Sequence, residues 1–351
     1  MPSVVLIIPG RLDTRTGGYL YDRRMAEGLR QRGWSVEIRQ LDESFPHPTP
    51  AALANAAEVL AGLRDGAWLL IDGLALGAMP EIIEREAARL RIAALVHLPL
   101  GADVSLEPLT ARRLQAGERR ALAAVALIIV TGATTIAMLG RYDIARNRIV
   151  VVEPGTMPAP VARGSAGTPV QLLSVATVNP NKGHEILLEA LAAIPDNNWH
   201  LTCAGSVTRH PPTADRVRAT MRRLELDDRV ALVGELDTAG LDECYDRADV
   251  FVSASLQETY GMAVAEALAR GLPVVSTTTG AVPDLVGADA GLLAPVGDID
   301  ALAGALTRVI GDAPLRARLA DGAKQVRERL RSWERAVDEM TAALGRLETH
   351  G

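Results

Sequence analysis

Short apolar runs of four to seven residues alternate with helix-length amphipathic segments along this chain, and the alternation restarts once, after a stretch rich in Pro, Gly and small residues at 154–169. That is the signature of βαβ units. Each apolar run reads as a strand buried on both faces, and each amphipathic segment as the helix that covers it. In the first half the expected strands are 4–9, 34–40, 68–71, 92–97, 126–130 and 148–152, with helices such as 19–32, 50–64 and 109–124 between them. In the second half the expected strands are 171–176, 200–204, 230–233, 250–253 and 274–276. The restart divides the chain into two α/β domains, 1–156 and 157–332, with a linker composition between them. The amphipathic tail, 333–351, is expected to pack back on the first domain or to cap the second.

The length, 351 residues, suits two cores rather than one. With 48% apolar residues but only 3% aromatic ones, those cores are aliphatic. A net charge of −6 argues against a nucleic-acid partner. The two cysteines, Cys203 and Cys244, have neither metal-ligand spacing nor a disulfide framework, so a reducing, cytoplasmic setting is expected. The apolar run 4–8 is cut short by Pro9-Gly10 and is no signal peptide; the run 121–130 is too short to span a bilayer. A peripheral membrane contact stays open, with only the Arg112-Arg113 and Arg119-Arg120 pairs to hint at it.

The sharpest local signal is QETYGMAVAEALARGLPVV, 257–275. Glu258 lies where the strand VFVSAS runs out into a loop, and Glu266 lies about one turn into the next helix. Gly261 and Met262 stand between them, at the turn. In an open parallel sheet, ligands bind where strands run out into such turns, and backbone N–H groups at a helix start favour an anion. Two carboxylates so placed can reach opposite ends of a ligand with phosphate in its middle, such as a nucleotide-diphosphate sugar.

Other candidates are weaker singly. Gly17 and Gly18 open the helix after the first strand, but no G-x-G-x-x-G accompanies them, which disfavours a dinucleotide enzyme. Lys182, in NPNKGH, follows the first strand of the second half and suits phosphate; alone it reads more readily as a solvated loop lysine. His97 closes the strand 92–96 and could hydrogen-bond a sugar hydroxyl or simply loop backbone. Ser206 and Leu236 follow two neighbouring strands, where backbone could read a base edge. Asp72 and Asp284 are further carboxylates near expected strand ends. No H-x-E-x-H, D-x-D or carboxylate cluster suggests a metal site, and no cofactor is expected.

With these residues in place, the chain resembles the family 4 glycosyltransferases. QETYGMAVAEALARGLPVV is similar to their E-x7-E donor-site signature; LLSVATVNPNKGHEILLEAL, RVALVGEL with YDRADVFVSAS, and the GLL segment from 291 fall in the family's order. The amino-terminal GGY and the VVEPGT entrance to the linker fit too. The resemblance is strong over 170–310 and loose over 1–150. It implies a GT-B fold, two Rossmann-like domains facing each other across a cleft, with the nucleotide sugar held mainly by the second. It implies a retaining, metal-independent transfer from an NDP-sugar to an acceptor hydroxyl.

By position, the resemblance makes Glu266 the ribose holder and puts Glu258 at the donor sugar. Lys182 then pairs with the diphosphate, Gly261 and Met262 offer amides to phosphate or sugar, and Leu236 lies at the base. Gly18 lines the diphosphate side, and His97 lies near the sugar. The family's phosphate-binding arginine is absent, because Ala176-Thr177-Val178 stands in its place. The base (UDP or GDP), the donor sugar and the acceptor, whether small molecule, glycan or lipid-linked, are not readable. A non-hydrolysing UDP-sugar epimerase and a silent nucleotide-sugar-binding protein are the competing readings.

Overall fold

The computed structural model describes residues 1–165, 167–195 and 198–348. They divide into two units, Met1–Gly155 with Arg331–Gly351, and Thr156–Leu330. Each unit carries one six-stranded parallel sheet. The first is built from β1 (Ser3–Pro9), β2 (Ser35–Leu41), β3 (Trp68–Asp72), β4 (Arg91–Val96), β5 (Leu127–Val130) and β6 (Ile149–Val151), in the order β2-β1-β3-β4-β5-β6. The second uses β7 (Val170–Val175), β8 (Trp199–Ala204), β9 (Val230–Gly234), β10 (Val250–Val252), β11 (Val274–Thr277) and β12 (Gly291–Ala294), in the order β12-β11-β10-β7-β8-β9.

Strand order reverses between β1 and β3 in the first sheet and between β7 and β10 in the second. At such a reversal the two following connections leave on opposite faces, and their loops open a crevice at the carboxyl ends of the strands. The central strands are apolar throughout because helices cover both faces. Leu69, Leu70 and Ile71 of β3 are each about 1% exposed or less, whereas β2, at an edge, shows Ser35, Glu37, Arg39 and Gln40 to solvent. In the second unit Leu172, Leu201, Val250 and Val252 pack on one side, and Leu173, Phe251 and Val274 on the other.

The apolar-run reading located eleven of the twelve strands among the described residues and missed β12, Gly291–Ala294, an edge strand with only Leu292 and Leu293 as large apolar residues. Asp284 is not at a strand end but inside the short helix Val282–Val286. The stretch 154–169 has linker composition, yet much of it is strapped to the second unit. Ala162 donates to Arg270 O at 2.9 Å, Gly164 to Asp246 O at 2.9 Å, and Ser165 Oγ to Asp249 at 2.7 Å.

The terminal helix Trp333–Gly345 belongs to the first unit, where it lies on the helix Gly17–Gln31. Arg32 Nε donates to Asp338 at 2.6 Å, the Trp333 and Tyr21 rings meet edge-on at 5.9 Å, and Val337 fills the space a side chain on Gly28 would need.

Candidate active site

In the second unit the loops after β7 and β10 leave the sheet at its order reversal, and they are stitched together. Leu256 N–H donates to Asn181 O at 2.7 Å. Gly183 (φ +62°) presses so close to Ala254 that a Cβ there would lie 2.1 Å from its carbonyl oxygen. This close approach carries Lys182 to Glu258: Nζ donates to Oε1 at 2.5 Å, with side chains 25% and 18% exposed. Ser255 Oγ also donates to Oε1, at 3.0 Å, and is itself 3.0 Å from Ser253 Oγ. The backbone of Glu258 is fixed by its N–H to Thr279 Oγ1 at 3.1 Å and by Gly280, where a Cβ would meet Glu258 O at 2.2 Å.

The helix Met262–Ala269 begins at Gly261, which holds φ +96°, a conformation glycine adopts without strain. No side chain caps this helix, so its first amides are available to an anionic ligand. Glu266 lies one turn in. Tyr245 Oη donates to its Oε2 at 3.1 Å, Arg270 lies 4.2 Å over the Tyr245 ring, and Tyr245 stacks on Phe251. Burial raises the Glu266 carboxyl above its ordinary range, against the lowering effects of Tyr245 and Arg270.

Near Lys182 lies His184, 4% exposed, with both ring nitrogens unbonded; burial, aided by the Lys182 charge, lowers it to about 4, so the ring is neutral at physiological pH. Thr177 is half-buried on the loop after β7, whose one cation is Lys182. Ser206 is 5% exposed and 3.2 Å from Thr208 Oγ1. Leu236 follows β9 and is half-buried.

In the first unit, Gly17 and Gly18 open the helix after β1, and His97 follows β4. The missing side chain of Gly18 makes room for the imidazole: a Cβ there would lie 3.3 Å from His97 Cδ2. His97 Nε2 lies 3.0 Å from Asp22 Oδ1 and 3.5 Å from Asp72 Oδ2. The Tyr21 ring stands edge-on to it at 5.3 Å. Burial pulls the imidazole down, but Asp22 by charge and hydrogen bond, and Asp72 by charge, bring it above its ordinary value. Asp72 is raised to about 7 by burial and by the Asp22 charge.

The three polar atoms lie within 4.8 Å of one another. A carboxylate–histidine cluster therefore does exist, though none was visible in sequence, because its members come from three separate elements. Within it the His97–Asp22 spacing is that of a hydrogen bond.

Sequence reasoning named Asp72 but missed Asp22, Tyr245 and Ser255. Asp22 had a signal. It sits three before Met25 and seven before Leu29, inside the buried stripe of its helix, where a charge needs a partner. Tyr245 and Ser255 are ordinary core and strand-end residue types with no such mark.

Residues 160–326 match the family model described as glycosyl transferases group 1. A D-inositol 3-phosphate glycosyltransferase of Xylanimonas cellulosilytica is 30% identical over 242 residues, which is 64% of this chain and 58% of that protein. The chain thus matches less than two thirds of that relative's length. Among solved structures, the sucrose-phosphate synthase of Thermosynechococcus elongatus superposes over 100% of both chains, with a TM-score of 0.84 at 21% identity. HepE of Anabaena, solved with UDP and glucose, covers 97% of this chain and 99% of its own, with a TM-score of 0.76 at 17% identity. These neighbours share the fold, which is GT-B. The family match thus covers just under half of the chain and lies within the second unit.

Proposed function

We propose that this protein is a retaining hexosyltransferase that moves a sugar from an NDP-sugar, UDP- or GDP-linked, to an acceptor hydroxyl without a metal. The observation that carries this reading is the Lys182–Glu258 pair, held at the order reversal of the second sheet beside the uncapped helix start at Gly261. A solved neighbour holding UDP and glucose supports the choice of ligand. In this reading a donor diphosphate competes with Glu258 for the Lys182 ammonium and takes the amides at Gly261 and Met262. Glu258, released, meets the sugar. Glu266, braced by Tyr245, accepts from the ribose hydroxyls.

Charge grows on the leaving diphosphate as the glycosidic C–O bond breaks, so Lys182 and the amides bind the transition state more tightly than the ground state. The acceptor oxygen forms its bond to the anomeric carbon on the face the diphosphate leaves. Its proton passes to the departing phosphate oxygen, so no separate protein base is required. The acceptor is a hydroxyl compound, either a small molecule, a glycan or a lipid-linked sugar. The unpaired thiols Cys203 and Cys244 support a cytoplasmic setting.

A thermal-shift panel of nucleotide sugars tests the reading. A true donor raises the melting temperature by mass action, and its transfer product keeps the anomeric configuration of the donor. No shift with any UDP- or GDP-sugar would overturn the reading. Conversion of the donor to its epimer with no acceptor present would replace transfer by epimerisation.

A further inference from the structure

The buried carboxylates behind His97 are more than packing. Asp22 is 0% exposed and Asp72 is 3% exposed, yet both face the same ring nitrogen. One N–H cannot serve two acceptors well. Asp72 Oδ1 is satisfied by Leu74 N–H at 2.7 Å, but Asp22 Oδ2 is buried with no donor. A buried carboxylate oxygen with no donor beside a second carboxylate needs a proton between them.

We propose that Asp22 is the positioning residue of His97: its Oδ1 takes the Nε2–H hydrogen bond, it shares one further proton with Asp72, and Nδ1 is thereby left as the ring nitrogen that meets a substrate hydroxyl. This rests on the function proposed above for its last step only; the state of the ring is a property of the protein alone. Other neighbours hold the residue, and its side chain stays 21% exposed. Gly18 lies against the ring, Tyr21 stands edge-on to it, and Thr131 Oγ1 lies 3.5 Å from the His97 carbonyl.

The titratable groups around the imidazole are Asp22 and Tyr21 from the helix after β1 and Asp72 from the end of β3; Tyr21 in turn senses Arg331 and Glu339 of the terminal segment. Among the described residues, the cation that acts on Asp72 is the imidazole itself. The negative charge behind Nε2 therefore makes Nδ1 more basic, as a carboxylate does for any imidazole it bonds. Below its raised midpoint the ring is an imidazolium, and Nδ1–H donates to the hydroxyl. Above it, Nδ1 can only accept.

The test is the ring spectrum of the whole protein, labelled with 15N at histidine and assigned with His97→Gln. The expected wild-type result is an Nε2–H proton retained across neutral pH, with Nδ1 titrating above an ordinary histidine. In folded Asp22→Asn the Nδ1 midpoint falls by about one pH unit, roughly a tenfold loss of proton affinity. Once a donor is known, the high-pH limb of kcat moves down with it while the donor KM holds. If Asp22→Asn does not fold, Asp72→Asn is read in the same way.

A wild-type ring protonated at Nδ1 alone would overturn the proposal. So would an unmoved midpoint in a folded variant. Stoichiometric displacement of the Nε2 proton by Zn2+, abolished in Asp22→Asn, would also overturn it by making the cluster a metal site. None of these ring measurements needs a sugar donor, so a failed donor panel would sink the function and leave the role of Asp22 decided.

Discussion

Lys182 Nζ and Glu258 Oε1 lie 2.5 Å apart, on two loops 76 residues apart in sequence. The pair is only partly shielded from water, so its own contribution to stability is small. Its consequence is placement. The ammonium is held at the strand ends by a partner that, in the proposed function, an incoming diphosphate replaces.

Lys182→Ala is expected to slow transfer by about two orders of magnitude or more in kcat, since one lost donor to a developing oxyanion costs on the order of 3 kcal/mol. Steady-state kinetics with a confirmed donor measures it. With Thr177 in place of an arginine, no second cation on that loop would soften the loss. A variant with wild-type kcat would remove Lys182 from the chemistry.

Tyr245→Phe deletes the hydroxyl that donates to Glu266 at 3.1 Å while keeping the ring that stacks on Phe251 and lies under Arg270. Donor affinity should drop by about 1 kcal/mol, the ordinary worth of one such bond, and Glu266→Ala should cost more. Calorimetric titration of the donor separates the two. Equal affinity in Glu266→Ala and wild type would mean that the ribose is held elsewhere.

Gly18→Ala puts a methyl 3.3 Å from His97 Cδ2. The ring must shift by a few tenths of an ångström against Asp22. A lowered kcat and a displaced His97 resonance are expected with little change in melting temperature; an unmoved resonance would show that the ring has slack.

Gly28→Ala drives a methyl to 2.3 Å from Val337 Cγ2. Overpacking of this kind costs about 1–3 kcal/mol. The expected sign is early hydrogen exchange over 333–345, the terminal helix, with the second unit unaffected. Unchanged protection there would mean that the helix pair can separate without loss.

Glu118 is buried, accepts from Tyr142 Oη at 2.6 Å and Leu100 N–H at 3.0 Å, and is raised by burial from 4.5 to about 7. An acid whose folded value lies above its unfolded one contributes stability that is fully present below about 4.5 and is lost as pH rises through about 7. Glu118→Gln should therefore flatten the fall in stability across that window, by a few kcal/mol in order of magnitude. Denaturant midpoints at pH 5 and pH 8 would show it; parallel curves would refute it.

Much of this protein could be read in its sequence because the readable features are local. Strand and helix periods set the βαβ order, Gly183 and Gly261 mark turns, and the Glu258–Glu266 spacing places one carboxylate in a loop and one on a helix. Only the tertiary structure decided which loops meet. The order reversal between β7 and β10 brings Lys182 to Glu258, and that between β1 and β3 lets the buried Asp22 and Asp72 converge on His97. Sequence carries no distance between separate strand ends, whereas sheet order sets those distances outright. The charge state of His97 follows from that geometry, because its proton depends on two carboxylates that lie 25 and 75 residues away along the chain.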